Sequence, residues 1–230
     1  MHVPDGFLDA PTSLATAAIA AAGVGLALRG ARRELSDATA PLAGLVAVFV
    51  FATQMLNFPV GAGTSGHLLG GALAAVLVGP FTATLCLTVV LLIQGLAFAD
   101  GGLTALGTNI TLMGLVGVWV GYAVFRAARA VLPRRTSSVP LAAAIGAFVS
   151  VPAAALAFSV LFAIGGQAPI EFSTLAATMI GWHTLIGLGE ATITFLAVAS
   201  IAATRPDLVY GARDLVASTH DLEVRTGALA

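Results

Sequence analysis

The apolar positions of this chain gather into seven runs, at about 12–28, 41–57, 67–79, 80–98, 110–131, 140–164 and 172–203, most of them near the roughly 20 residues that cross a bilayer. The third run is short, and Gly79-Pro80 divides it from the fourth, so its length alone also fits a re-entrant segment. The polar positions decide between the two. Arg29, Arg32 and Arg33 follow the first run; Arg126, Arg129, Arg134 and Arg135 end or follow the fifth; Arg205, Arg213 and Arg225 follow the last. With seven crossings all ten arginines fall on one side, which the positive-inside rule makes cytoplasmic. A re-entrant third run would put the middle or the last group outside. The pattern therefore predicts an all-α polytopic membrane protein, a bundle of seven transmembrane helices with the N-terminus outside and the C-terminus cytoplasmic.

Residues 1–204 read as a single integral membrane domain whose first eleven residues form an outer loop. Residues 205–230 read as a short cytoplasmic tail, either a short helix or a disordered end. The other outer segments are 58–66, 99–109 and 165–171. Together with the N-terminal loop they carry no basic residue and hold Asp5, Asp9, Asp100 and Glu171. Such a face gathers cations, although positive-inside sorting alone leaves the same asymmetry. Gly and Ala crowd the runs, as in Ala17–Gly23 and at Gly114, Gly117 and Gly121, a spacing that serves close helix packing within the chain or docking of a membrane partner.

Composition narrows the chemistry. Apolar residues make up 58 % of the 230 and charged residues 9 %, which excludes an ordinary soluble globule. The basic residues are all arginine. Without lysine there is no G-x-x-x-x-G-K-[ST] loop for ATP and no Schiff-base chemistry. A net charge of -1 argues against nucleic-acid binding. The single Cys86 lies in an apolar run and excludes an internal disulfide.

The N-terminus, Met-His-Val-Pro-Asp-Gly-Phe-Leu-Asp-Ala-Pro, lacks the basic and apolar regions of a secretory leader, and the sequence predicts that it is retained. Pro4-Asp5-Gly6 is a strong turn signal. Ten extended residues reach about 33 Å, enough to fold back deep into the bundle. His2 then lies on the same side of the membrane as His67, which opens the third run after the Gly-rich loop 57–66. The Met1 amine, the His2 backbone nitrogen and the His2 imidazole can form fused five- and six-membered rings around one metal, and His67 can close a set of four nitrogens. Four nitrogens in a plane suit Ni(II) or Cu(II). Co(II) can use the same donors with less preference for that geometry. An amine with a reference pKa of about 7.7–8.0 must lose its proton to bind, so affinity is expected to rise with pH. The competing reading is a solvated terminal His2 and a His67 that satisfies a loop partner at the head of a helix. His220, in the polar tail, reads as solvated surface.

In the last run, His183 and Glu190 are seven residues apart and share a helix face. Ionisable residues within a span default to a functional reading. They fit a layer beneath a metal site, a proton relay, or a structural polar pair between helices.

Three stretches carry a resemblance: Met-His-Val-Pro-Asp-Gly-Phe-Leu at 1–8, Asn-Phe-Pro-Val-Gly-Ala-Gly-Thr-Ser-Gly-His-Leu-Leu-Gly-Gly at 57–71, and His-Thr-Leu-Ile-Gly-x-Gly-Glu at 183–190. In this order they resemble the substrate-specific membrane component of cobalt and nickel energy-coupling-factor transporters. The resemblance implies a seven-helix component of a prokaryotic cell (inner) membrane that captures Ni2+ or Co2+ outside and passes it inward. The ligands it implies are Met1, His2 and His67, with Asn57, Ser65, His183 and Glu190 in support. It also implies a coupling membrane subunit, separate ATP-binding-cassette ATPase subunits and, for a chain of this length, a small membrane subunit on another polypeptide. The motifs do not separate nickel from cobalt.

Two rivals use the same residues. Gly63-Thr64-Ser65-Gly66 fits the G-x-S-G pattern of intramembrane serine proteases, with His183 as base. The spacing after His183 differs from the rhomboid pattern, however, and Ser65 falls at the outer end while His183 falls near mid-bilayer. A proton-coupled secondary transporter needs more intramembrane acids than Glu190 and usually shows inverted repeats.

Overall fold

The computed structural model describes residues 1–36, 39–61 and 64–216. Each predicted run contains a helix. α1, Ala10–Glu34, starts where the Asp9 carboxylate accepts from the Thr12 amide at 2.8 Å, and ends with Arg32 and Arg33 against its carbonyl terminus. α2 is Ala40–Gln54, α3 Gly71–Val78 and α4 Pro80–Ala97. α5 runs over Leu106–Val131, with i→i+5 turns across Ile110–Gly117. α6 is Val139–Gly165 and α7 Phe172–Thr204, the latter capped by Glu171 on the Ser173 and Thr174 amides. Among the described residues, five helices are long and apolar enough to cross a membrane: α1, α4, α5, α6 and α7. The chain is a multi-pass membrane protein.

Two expectations are corrected. His67 does not head a helix: residues 67–70 are non-helical, and α3 begins only after Gly70, whose φ of +74° turns the chain. The preceding loop contains an antiparallel hairpin, β1 (Phe58–Gly61) on β2 (Thr64–Gly66), that apolar-run reading passes over.

Small residues set the packing. Gly121 approaches Ala72 of α3, and a Cβ on Gly146 would meet the Gly121 carbonyl at 2.5 Å. Gly107 lies against the backbone of Ala17. All eight residues of α3 are buried. One core cluster surrounds α3 and includes Phe125, Val209 and Ala212; the other lies beneath the N-terminal residues and includes Leu69, Met113, Phe158 and Met179. Val209, between two short 3-10 turns, and Ala212, in the second of them, are fully buried, so the tail begins as packed structure. Its remainder, with His220 and Arg225, lies outside the described residues.

At the far end of α1, Glu34 caps α4. Its carboxylate accepts from the Phe81 amide (3.2 Å), the Thr82 amide (2.7 Å) and the Thr82 hydroxyl (2.9 Å). Gly79, at φ +96°, makes room for it, because a Cβ there would collide with the carboxylate. Glu34→Ala is therefore expected to cost about 2 kcal/mol by stranding buried donors at a helix start. That corresponds to a midpoint lower by about 5 °C in detergent thermal unfolding; an unchanged midpoint would show that α4 starts without the carboxylate.

Candidate metal centre

The first nine residues fold into the bundle rather than over it. Phe7 and Leu8 anchor the segment among Phe158 and Phe162, and its backbone pairs with the end of α6: Asp9 donates to the Gly165 carbonyl at 2.7 Å, and Gln167 donates to the Phe7 carbonyl at 3.0 Å. The Pro4-Asp5-Gly6 turn is held by the Asp5 carboxylate, which accepts from the Thr104 amide at 2.7 Å and the Thr104 hydroxyl at 2.5 Å. Deeper in, the Asn109 side chain clamps Val3, accepting from its amide at 2.8 Å and donating to its carbonyl at 3.2 Å. The widened turns of α5 begin immediately after Asn109. This brings Met1 to 2 % exposure at the centre of the cluster.

Burial lowers the Met1 amine from its ordinary value of 8.0 to about 4, against a smaller opposing pull from Asp100. The inserted amine is thus neutral at pH 7, with its lone pair available, and the deprotonation expected near pH 8 for an exposed terminus is already complete.

His2 and His67 meet face to face, with ring centroids 4.5 Å apart and planes 25° from parallel. His2 Nε2 lies 3.1 Å from the Gln94 side-chain carbonyl, and its Nδ1 lies 3.1 Å from the Asp100 carboxylate without hydrogen-bond alignment. Asp100 also accepts from Asn57 at 3.0 Å. Ala99, in the left-handed region at φ +52°, bends the chain at this point. His67 Nδ1 contacts the Leu68 carbonyl at 2.8 Å. His183 Nδ1 contacts the Met179 carbonyl at 2.8 Å, and the residue interacts electrostatically with both the Met1 amine and His67.

Three imidazole nitrogens in this cluster, His2 Nδ1, His67 Nε2 and His183 Nε2, are buried without a hydrogen-bond partner. Buried polar atoms are normally satisfied, so this concentration marks a place built for something else. Among the described residues no group of three or more His, Cys, Asp or Glu side chains is arranged to hold a metal. A donor set here has to draw on the amine and the backbone. Imidazole lone pairs lie in the ring plane, so the stacked rings of His2 and His67 do not aim at one point. His2 must turn from Asp100 for both to face one ion.

The remaining predicted residues support the frame. Glu190, on α7, accepts from the amides of Leu69 and Gly70, each at 2.6 Å, and Gln54 of α2 donates to the Leu69 carbonyl at 2.7 Å. The segment that carries His67 is thereby pinned from two helices. Ser65 sits on β2 opposite Pro59. Among the described residues no hydrogen bond joins it to His183, whose Nδ1 contacts the Met179 carbonyl and whose Nε2 has no hydrogen-bond partner. Sequence reading missed Gln54, Gln94 and Asn109, whose signal was a neutral amide interrupting an apolar stretch.

The family model described as the cobalt uptake substrate-specific transmembrane region matches residues 2–208. The chain is similar to a putative metal transport protein of Haloquadratum walsbyi, 41 % identical over 91 % of this chain and 94 % of that protein. It is similar to the putative fused nickel transport protein NikMN of Archaeoglobus fulgidus, 40 % identical over 91 % of this chain and 68 % of that protein. It is also similar to the cobalt transport protein CbiM of Sorangium cellulosum, 34 % identical over 91 % and 94 %. The fold is similar to the crystal structure of a truncated transition metal transporter, with a TM-score of 0.81 and 29 % identity over 87 % of this chain and 98 % of that one. Names of this kind fit a transport component rather than an enzyme, and the match from residue 2 to the packed tail decides the assignment: the chain belongs to the family of cobalt-uptake substrate-specific transmembrane regions.

Proposed function

We propose that this chain captures Ni2+ or Co2+ at the outer face of a prokaryotic cell membrane through the Met1 amine, the His2 backbone and ring nitrogens, and His67. One observation carries the reading: the N-terminal residue is buried beside two imidazoles whose nitrogens lack hydrogen-bond partners, and that burial pushes its amine's pKa down. The metal is the cargo. Bound, it would engage the buried imidazole nitrogens of His2 and His67 that have no hydrogen-bond partner, and the nitrogen set favours a square-planar ion such as Ni(II). Asp100, itself held by Asn57, and Gln94 keep His2 beside His67 until it turns to face the ion, Glu190 and Gln54 fix the His67 segment, and His183 lies against the cluster on the α7 side.

Seven crossings with the N-terminus outside fit the contacts. α3 leaves Gly70 at the metal-site end and reaches Gly79 at the Glu34 end. Its eight residues rise about 12 Å, and the non-helical residues 67–70 before it carry the chain on toward the metal-site end. The arginine groups meet at that far end: Arg129 pairs with Asp214, and Arg213 donates to the Glu34 carbonyl. Residues 1–204 then form the membrane domain and 205–230 the cytoplasmic tail. Inward passage is driven by a coupling membrane subunit and ATP-binding-cassette ATPases of the energy-coupling-factor type, since a chain without lysine has no ATP loop of its own.

In calorimetric titration of the purified chain, Ni(II) or Co(II) is expected to bind one-to-one, and adding one Gly before Met1 is expected to abolish tight binding by removing the amine from its position. Equal binding by both forms would remove the amine from the site. His2→Ala and His67→Ala are each expected to weaken affinity by at least 100-fold, on the order of 3 kcal/mol for a lost ligand; unchanged affinity in both would end the reading. Asn109→Ala, which touches none of the proposed ligand atoms, is expected to weaken binding about tenfold by releasing Val3. If its affinity matches wild type, the N-terminal segment is held in place without the clamp.

A further inference from the structure

At the end of the bundle away from the N-terminus lies an open cleft of about 670 Å3 that the metal chemistry does not use. Arg33 of α1, Arg126 and Arg129 of α5, Arg134 beyond α5 and Arg213 of the tail all line it, and among the described residues Asp214 is the one acid on its wall. Two of the five guanidinium groups are committed to the fold. Arg129 donates to the Gly211 carbonyl and pairs with Asp214 at 3.0 Å. Arg213 donates to the Glu34 carbonyl at 3.1 Å and lies 4.8 Å over the Tyr210 ring. Arg126 is oriented by a hydrogen bond to Tyr122. Arg33 and Arg134 are exposed and have no hydrogen bond or ion pair among the described residues.

Five like charges around one cavity, answered by a single carboxylate, repel one another unless an anion enters. Planar guanidinium groups arriving from three directions suit a tetrahedral phosphate, whose oxygens accept paired N–H donors. The surroundings say where that phosphate comes from. Leu26, seven residues before Arg33 and so on the same helix face, is 59 % exposed, and Val131, three residues before Arg134, is 88 % exposed. Trp119 stands in the same relation to Arg126 and packs edge-on against Phe81, which fills the gap at Gly30 between α1 and α5. Exposed apolar side chains of α1 and α5 therefore adjoin the arginine rim, as acyl chains adjoin a headgroup, and Tyr122 and Tyr210 line the cleft beside the arginines.

We propose that this cleft binds the phosphate headgroup of an anionic membrane phospholipid. The lipid ties α1, α5 and the tail together at the end of the bundle opposite the metal centre.

The test uses the purified full chain in phosphatidylcholine nanodiscs with and without phosphatidylglycerol, followed by thermal unfolding and by native mass spectrometry for retained lipid. Phosphatidylglycerol is expected to raise the midpoint by about 5 °C at saturation and to remain bound one per chain. Arg33→Gln with Arg134→Gln is expected to remove most of that gain and the retained lipid, whereas Arg29→Gln with Arg32→Gln, which deletes equal charge outside the cleft, leaves both intact. Arg134→Gln alone, a change at an exposed position beyond α5, repeats the test with a smaller loss should the double variant unfold. Equal gains in the two double variants would overturn the proposal in favour of diffuse charge attraction. Inorganic phosphate giving the full gain in phosphatidylcholine would overturn it in favour of a soluble anion, and no gain with phosphatidylglycerol would overturn it outright.

Discussion

Two backbone amides end on one buried carboxylate, and the metal-site end of the molecule depends on that arrangement. Leu69 and Gly70 belong to no helix or strand, yet they lie inside a bundle that faces lipid, where an unpaired amide costs several kcal/mol. Glu190 accepts from both at 2.6 Å, and Gln54 satisfies the Leu69 carbonyl from the other side. Irregular backbone is tolerated at this depth because side chains from α2 and α7 replace the missing helix partners. The consequence is a fixed place for His67, two residues upstream of the pinned amides.

The inserted N-terminus obeys the same constraint. Val3 has no strand to pair with, so Asn109 supplies a donor and an acceptor from the last turn before the widened part of α5. Phe7 and Gln167, and Asp9 and Gly165, complete the pairing along α6. With its own backbone satisfied, the segment can carry the Met1 amine to a site where water no longer competes, and burial then removes the amine's proton. Solvation, rather than an acid–base partner, prepares the nitrogen.

Much of this was legible in the residues. Long apolar runs located every helix, because length and hydropathy are what a bilayer selects. The seven-residue spacing of His183 and Glu190 placed them on one face of α7, where both prove buried. Turn chemistry at Pro4-Asp5-Gly6 foretold an ordered terminus. What escaped were the features that depend on tertiary contact. The hairpin at 58–66 has only four and three residues in its strands. α3 stops short because Gly70 and Gly79 both adopt positive φ, and a glycine in a sequence does not announce which conformation it takes. Gln54, Gln94 and Asn109 are uncharged, so a search for ionisable residues passes over them, although in hydrocarbon an amide is nearly as conspicuous as a charge.

The two ends of the bundle are built on opposite terms, and α1 and α5 join them. At one end α1 starts beside the N-terminal segment and α5 clamps Val3; at the other, α1 finishes at Glu34 and α5 at the arginine cleft. The two helices run for 25 and 26 residues, α5 with the widened turns at Ile110–Gly117 within it. The metal-site end is buried around Met1 and His67, carries carboxylates such as Asp100 and Glu190, and has its irregular backbone held by amide side chains. The arginine end is open and crowded with charge of one sign. Anything that draws the arginines together or apart must act on the ends of the same helices that hold Val3 and flank the site. The widened turns at Ile110–Gly117 begin immediately after Asn109, so on α5 the residue that clamps Val3 is separated from the arginine cleft by a stretch wound less tightly than the helix on either side.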